Sequence, residues 1–305
     1  MGRDDVRRWN TAVSNAYVSF LDSETIPEDQ ANTRKAPGAL RWAARSKNRK
    51  IDHLRTFARW LSEQVPCPVL SGYPMRDIAR FEVPVLEAQR FSEREILRME
   101  AAVFDLDVTE IKRNKRQADR DVRELRKDAR PIRDQGLYAL FIGSGLRVQA
   151  VANLNVDQID FAGQVKRLRK VREKGRVERD VIITRGAADA IARYLESERV
   201  ADADAWNGAR ALFLSVPYQA KKRDDTRKGR MTTRALSYVV EKIASRADVA
   251  HVHPHRFRHH VGYVMNERGG ITAVQKQLGH RNIAYSAGYC QRTDSELAEY
   301  LESNG

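Results

Sequence analysis

The run GLYALFIGSGLRVQAVANL, residues 136–154, constrains this chain more than any other stretch. It holds one charged side chain, Arg147, between flanks dense in lysine, arginine and acid. GLYALFIGSG reads as a helix apolar on all sides, and such a helix is stable only when the rest of a protein surrounds it. Its apolar segment LYALFI is far too short to span a bilayer, so a domain must be built around it. The glycine turn that ends it starts a second helix, LRVQAVANL, and places Arg147 at that start. An arginine there can cap the helix, pair with a carboxylate or face a ligand, and the turn alone does not choose.

The partner is suggested by charge. Among 305 residues, 55 Lys and Arg stand against 41 Asp and Glu, a formal charge of +14, which gives a surface potential that attracts polyanions. Nucleic acid is the first expectation and an anionic membrane surface the weaker one. The length suits about two domains. Two cysteines, Cys67 and Cys290, form no CxxC pair and no disulfide framework, which fits a reducing cytoplasm. The start MGRDDVRRW has no apolar signal core, and Val6 stands where a myristoylation site needs Ser or Thr. The expectation is a basic intracellular protein, cytoplasmic and associated with the nucleoid, without a membrane partner.

A helical, basic domain is expected over 1–85 and a larger one over 86–305. In IDHLRTFARWL the residues Ile51, Leu54, Phe57, Ala58 and Leu61 recur at helical spacing. Upstream, RWAARSKNRK clusters Arg45, Lys47, Arg49 and Lys50, which form either a solvated face or a set of phosphate contacts. The proline-rich segment 65–85 reads as a loop or linker, and Ser92 with Glu95 makes a capping box that opens the next helix, so the boundary falls near 85–90. The charged run 111–134 reads as an exposed helix laced with opposite-charge pairs, or as a DNA-facing insertion. VKRLRKV and RDVIIT suggest short strands, helices resume from Ala187, and 201–231 reads as loops around a short strand. The fold class is mainly α with a small antiparallel β-sheet.

The chemistry gathers late. In HPHRFRHHVGYVMNERGG, Pro254 suits the first turn of a helix and Gly269 its end, with Phe257, Val261, Val264 and Met265 as the buried stripe. His255 and Arg258, three apart, can present an imidazole and a guanidinium together. Five histidines between 251 and 260 invite a metal reading, but there is no HExxH and no nearby cysteine pair, so no metal is expected. In ITAVQKQLGH a capping box at Thr272 and Gln275 starts a helix, and Gly279 stops it, which throws His280 into a loop. Two tyrosines follow, Tyr285 and Tyr289; most tyrosines in a folded domain simply bury a ring and tie off a hydroxyl.

In order, these residues resemble the tyrosine recombinase, or phage integrase, family: Arg147 in GLR, Lys174 in EKGRVERDVII, His255 and Arg258 in HRFRH, His280 in LGH, and Tyr289 nine residues on. VANLNVDQID and ALFLS match flanking segments, so the resemblance covers about 90–292. Each motif is weak alone, and five in order are strong. Two departures stand out: a short N-terminal region without an obvious four-helix pattern, and Ala150 where the family often carries an acid three residues after the first arginine. The resemblance implies a two-domain, C-shaped clamp on DNA and site-specific strand exchange through a 3′-phosphotyrosine, without metal or ATP. It implies that Tyr289 attacks, Arg147, Arg258 and His280 hold the phosphate, His255 takes the phenolic proton and Lys174 protonates the leaving oxygen. A helix over 293–302 is implied to link a homotetramer, although it can equally fold back on its own domain. Two other readings remain: an architectural DNA-binding protein of the same fold, and a type IB topoisomerase-like nicking and closing enzyme.

Overall fold

Asn10 begins the first helix by accepting a hydrogen bond from the Val13 N–H at 3.1 Å, so that α1 runs Thr11–Ser23. In this computed structural model, residues 5–30, 36–63, 69–70, 72–83, 90–106, 129–173, 175, 177–217, 228–280, 282–283, 286 and 289 are described. The chain divides into two compact units, Met1–Leu86 and Glu87–Gly305.

In the first unit, α2 (Ala44–Ser62) buries Ile51, Ala58 and Leu61. Phe57, expected in that stripe, is exposed instead and stacks between Trp9 and Trp60 at 6.2 and 6.1 Å. The proline-rich passage is irregular but is more than a linker: Leu70, Met75 and Ile78 complete the core of this unit. Asn48 fixes it by exchanging two hydrogen bonds with the Phe81 backbone, at 2.9 and 2.8 Å.

In the second unit, Ser92 and Glu95 form the expected capping box of α3 (Glu93–Phe104). The central helix, α4 (Pro131–Ser144), buries Leu137, Leu140 and Phe141 completely. Its glycines allow close approach: Gly136 faces the Ala190 carbonyl, and Gly143 lies against Thr184 and Ala187. The end of the charged run does not behave as a solvated face, because α4 carries it into the core. Arg133 and Asp134 form a buried ion pair, Arg133 also donates to the Leu214 carbonyl, and Arg130 pairs with Asp202 at 2.6 Å. Buried charges persist when paired in this way. The rest of that run, 111–128, lies outside the described residues.

After α5 (Val148–Asn153) comes a three-stranded antiparallel sheet in the order β1 (Ile159–Asp160), β2 (Arg167–Arg172), β3 (Glu178–Ile182). Leu168, opposite Val181, and Val171 point into the core, and the register shifts between Leu168 and Val171. The helix expected from Ala187 begins at Arg185, capped by Thr184, as α6 (Arg185–Glu196). The stretch ADADA is not loop but the end of α7 (Glu198–Ala205), anchored by the Arg130–Asp202 pair. ALFLS contributes two isolated bridges, Asn155 with Ala211 and Leu214 with Arg230, in place of a regular strand. Then come α8 (Thr233–Arg246) and α9 (Pro254–Leu278). The two helices expected over 254–279 form this one element, broken at Gly270, whose φ of 68° departs from helix. Among the described residues no helix is long and apolar enough to cross a membrane.

Candidate active site

The site starts from the glycine turn. Gly145, at φ 67°, closes α4 in the left-handed region, and a Cβ there would meet Val261 and Leu278 of α9 at 3.0 Å. Helix α9 therefore lies directly across the turn. Arg258, fully buried on α9, donates to the Gly145 carbonyl at 3.0 Å and to the Leu278 carbonyl at 2.5 Å. Arg147, two residues beyond Gly145, is drawn to the same place. Burial, and next the charge of Arg147, lower the Arg258 pKa to about 10, so it remains cationic at neutral pH. Arg147 forms an ion pair with Glu173, which also holds Arg179 at 2.6 Å.

His253 caps α9 by accepting the Arg256 N–H on Nδ1 at 3.2 Å. Two residues later His255 stacks edge-on against His259, one turn further on, with ring centroids 4.5 Å apart. Loss of water around the ring, with His259 and Arg258 close by, pushes the His255 pKa down to about 4. At the other end of α9, Gly279 adopts φ 65° and releases His280, as its position suggested. The His280 Nδ1 lies 2.8 Å from the Ser286 Oγ, and burial lowers its pKa also to about 4. Both imidazoles are neutral at pH 7.

Tyr289 packs onto α9 at Gly262, where a Cβ would come within 2.6 Å of the phenol ring. The ring lies parallel to that of His280 at 6.1 Å, edge-on to Tyr263 at 5.3 Å, and 5.7 Å from His259. Its backbone is fixed by the Ser286 carbonyl at 3.1 Å and by Asn266, which donates to the Tyr289 carbonyl at 3.0 Å. Burial raises the phenol pKa, partly offset by Arg258, so the hydroxyl keeps its proton at neutral pH.

The structure thus gathers Arg147, Arg258, His255, His280 and Tyr289 around the end of α4 and the length of α9. Lys174, Tyr285 and the 293–302 segment lie outside the described residues. In the first unit, Arg45 and Arg49 are exposed and Lys50 sits over the Trp42 ring at 4.0 Å. Lys47 differs: it is buried, pairs with Asp22 at 2.6 Å and lies over Phe81, so it has no free face for a phosphate. Sequence reasoning did not single out Glu173, Arg179, His259 or Gly262. The signals were faint: a carboxylate beside Lys174, and a helix glycine one turn after Arg258. Among the described residues no three His, Cys, Asp or Glu side chains are placed to hold a metal ion.

A sequence model of the phage integrase family matches residues 114–296, more than half of the chain. Tyrosine recombinase XerC of Oceanobacillus iheyensis is 33% identical over 177 residues, covering 56% of this chain and 53% of the relative. XerC of Caldanaerobacter subterraneus is 26% identical over 293 residues, covering 95% of this chain and 67% of the relative. The chain spans about half the length of most of the curated relatives it matches. Among solved structures, the XerH site-specific recombinase in a post-cleavage complex with palindromic difH substrate aligns over 98% of this chain and 74% of its own, with a TM-score of 0.68 at 14% identity. A lambda integrase dimer bound to a core site aligns over 97% and 84%, with a TM-score of 0.57 at 12% identity. With this match spanning the arginine turn, the histidine helix and the terminal tyrosine, the chain belongs to the phage integrase family.

Proposed function

We propose that this chain is a site-specific DNA recombinase that breaks and rejoins strands by transesterification, with Tyr289 as nucleophile. The observation that carries this is the placement of a buried phenol against His280 and His259, on the helix that brings Arg258 beside Arg147. The phenolic oxygen bonds to phosphorus, the bond to the 5′ oxygen breaks, and a 3′-phosphotyrosine forms. A 5′ hydroxyl reverses the step. One ester replaces another, so no nucleotide is consumed.

A phenol held protonated by burial needs a base as it attacks; His255 is neutral at pH 7, and an anionic phosphate bound beside it would raise its basicity enough to take the proton. The arginines neutralise the non-bridging oxygens as negative charge gathers on phosphorus. Arg258 spends one N–H of each terminal nitrogen on a carbonyl, which fixes the plane of the guanidinium and leaves its remaining donors to the site. His280 donates to the same phosphate, and Lys174 supplies the proton to the leaving 5′ oxygen. The partner is duplex DNA carrying recombination sites, bound through two domains, 1–85 and 86–305. A tetramer joined through 293–302 would align two such sites, and the work would take place in the cytoplasm.

The test is a nicked duplex carrying the cognate site, incubated with chelator and resolved on a denaturing gel. Wild type and Tyr285→Phe are expected to form a covalent adduct and Tyr289→Phe none. An adduct from Tyr289→Phe, or none from wild type on that site, overturns the assignment. Binding without cleavage would favour an architectural role, and relaxation of supercoils by single protomers would favour a topoisomerase-like one.

A further inference from the structure

We propose that Glu173 is the positioning residue for Arg147, acting from the β2–β3 turn to fix the guanidinium that grips the reacting phosphate; this rests on the transesterification reading above. Arg147 is the N-cap of α5 and makes no cap bond with its side chain, so nothing in its own helix orients the long stem. Three residues on, where a carboxylate could reach back, stands Ala150, buried and apolar. The partner comes from across the site instead. The Glu173 side chain is only 5% exposed; one oxygen takes Arg147 and the other takes Arg179.

That carboxylate is itself rigidly held. The Glu173 N–H donates to the Val177 carbonyl at 2.9 Å, which closes the β2–β3 turn. Arg179 donates onward to the Lys276 carbonyl at 3.3 Å, in the last turn of α9, and lies against Gly279, whose turn releases His280. A continuous set of contacts, Arg147 to Glu173 to Arg179 to the end of α9, thus links three elements of the site. The arrangement also answers an electrostatic problem. Arg147 and Arg258 repel each other, and the Glu173 charge favours the cationic forms of both Arg258 and His280. With Nη1 on Glu173, the Arg147 guanidinium keeps Nη2 and Nε for phosphate oxygens.

The role separates rate from binding. Removing the charge leaves the cradle more positive, so duplex DNA is held as tightly or more tightly, while a loosened Arg147 aligns the phosphate poorly. Single-turnover adduct formation by Glu173→Gln is expected to slow by roughly a hundredfold with no loss of duplex affinity. Glu173→Asp keeps the charge and should keep most of the rate. The decisive variant is Glu173→Gln combined with Ala150→Glu, which returns a carboxylate to Arg147 from the opposite side and should recover adduct formation. Glu173→Gln cleaving at the wild-type rate or faster overturns the proposal, since a faster variant would mark the carboxylate as a competitor of the phosphate. So does a double variant no faster than Glu173→Gln. If melting shows Glu173→Gln unfolded, the decision passes to Glu173→Asp and the double variant: an adduct from either supports the role, and none from both overturns it. A wild type without adduct overturns the transesterification reading itself, a result distinct from an active wild type that ignores Glu173.

Discussion

Gly262 is the residue whose smallest change should be felt most. Alanine would favour the helix by about 1 kcal/mol through propensity alone. Its methyl would nevertheless press on the Tyr289 ring, which lies where the Cβ must go. Gly262→Ala is therefore expected to leave the fold intact by circular dichroism yet cut adduct formation by roughly a hundredfold, through misplacement of the phenol. Undiminished adduct formation would show that the tyrosine does not use this seat. The histidines give a second prediction. Folded His255 and His280 have values near 4, against the ordinary 6.5, so the unfolded chain takes up protons first as pH falls. Their contribution to stability is complete above about 6.5 and is lost on acidification towards about 4. The melting temperature should drop over that window, and replacing both with Gln should flatten the drop; an equal drop in the double variant contradicts it. At this scale the sequence was informative wherever a residue's type and order carried the signal, as for Arg147, Arg258, His280 and Tyr289. It was silent on Glu173 and misleading on Lys47, because the partner of a charge is chosen by chain segments that meet only after folding.

Among the elements, α4 shows how a pattern becomes a position. Its all-round apolar sequence foretold burial, and its glycines set how near α6 can come. A Cβ on Gly143 would lie 2.9 Å from that of Ala187 and would press on Thr184, the cap of α6. Gly143→Ala should destabilise by about 1–3 kcal/mol, as overpacked cores do. In a unit of this size each kcal/mol lowers the melting temperature by roughly 2–4 °C. An unchanged melting temperature would mean that α6 can retreat. The capping signals at Ser92, Pro254 and Gly279 were readable because they depend on a few adjacent residues. Helix α7 was missed, since ADADA lacks an apolar stripe and is held by Arg130, far away in sequence. The break in α9 was read one residue early, for Gly269 and Gly270 look alike until the backbone selects the one that turns.

For the whole molecule, the charge of +14 predicts how binding responds to salt. If phosphate contacts supply most of the affinity, log K should fall linearly with log salt, losing roughly a thousandfold or more between about 50 and 200 mM. Titration of a fluorescent duplex would measure this, and a flat response would deny that the net charge is the source of affinity. The division of labour around Arg258 has a broader consequence. One guanidinium rivets the exit of α4 to the far end of α9. Architecture and reactivity cannot be separated at such a position. A genetic screen for inactive alleles will collect changes there that fail as proteins before they fail as catalysts, and kinetic dissection belongs to its half-exposed neighbour, Arg147.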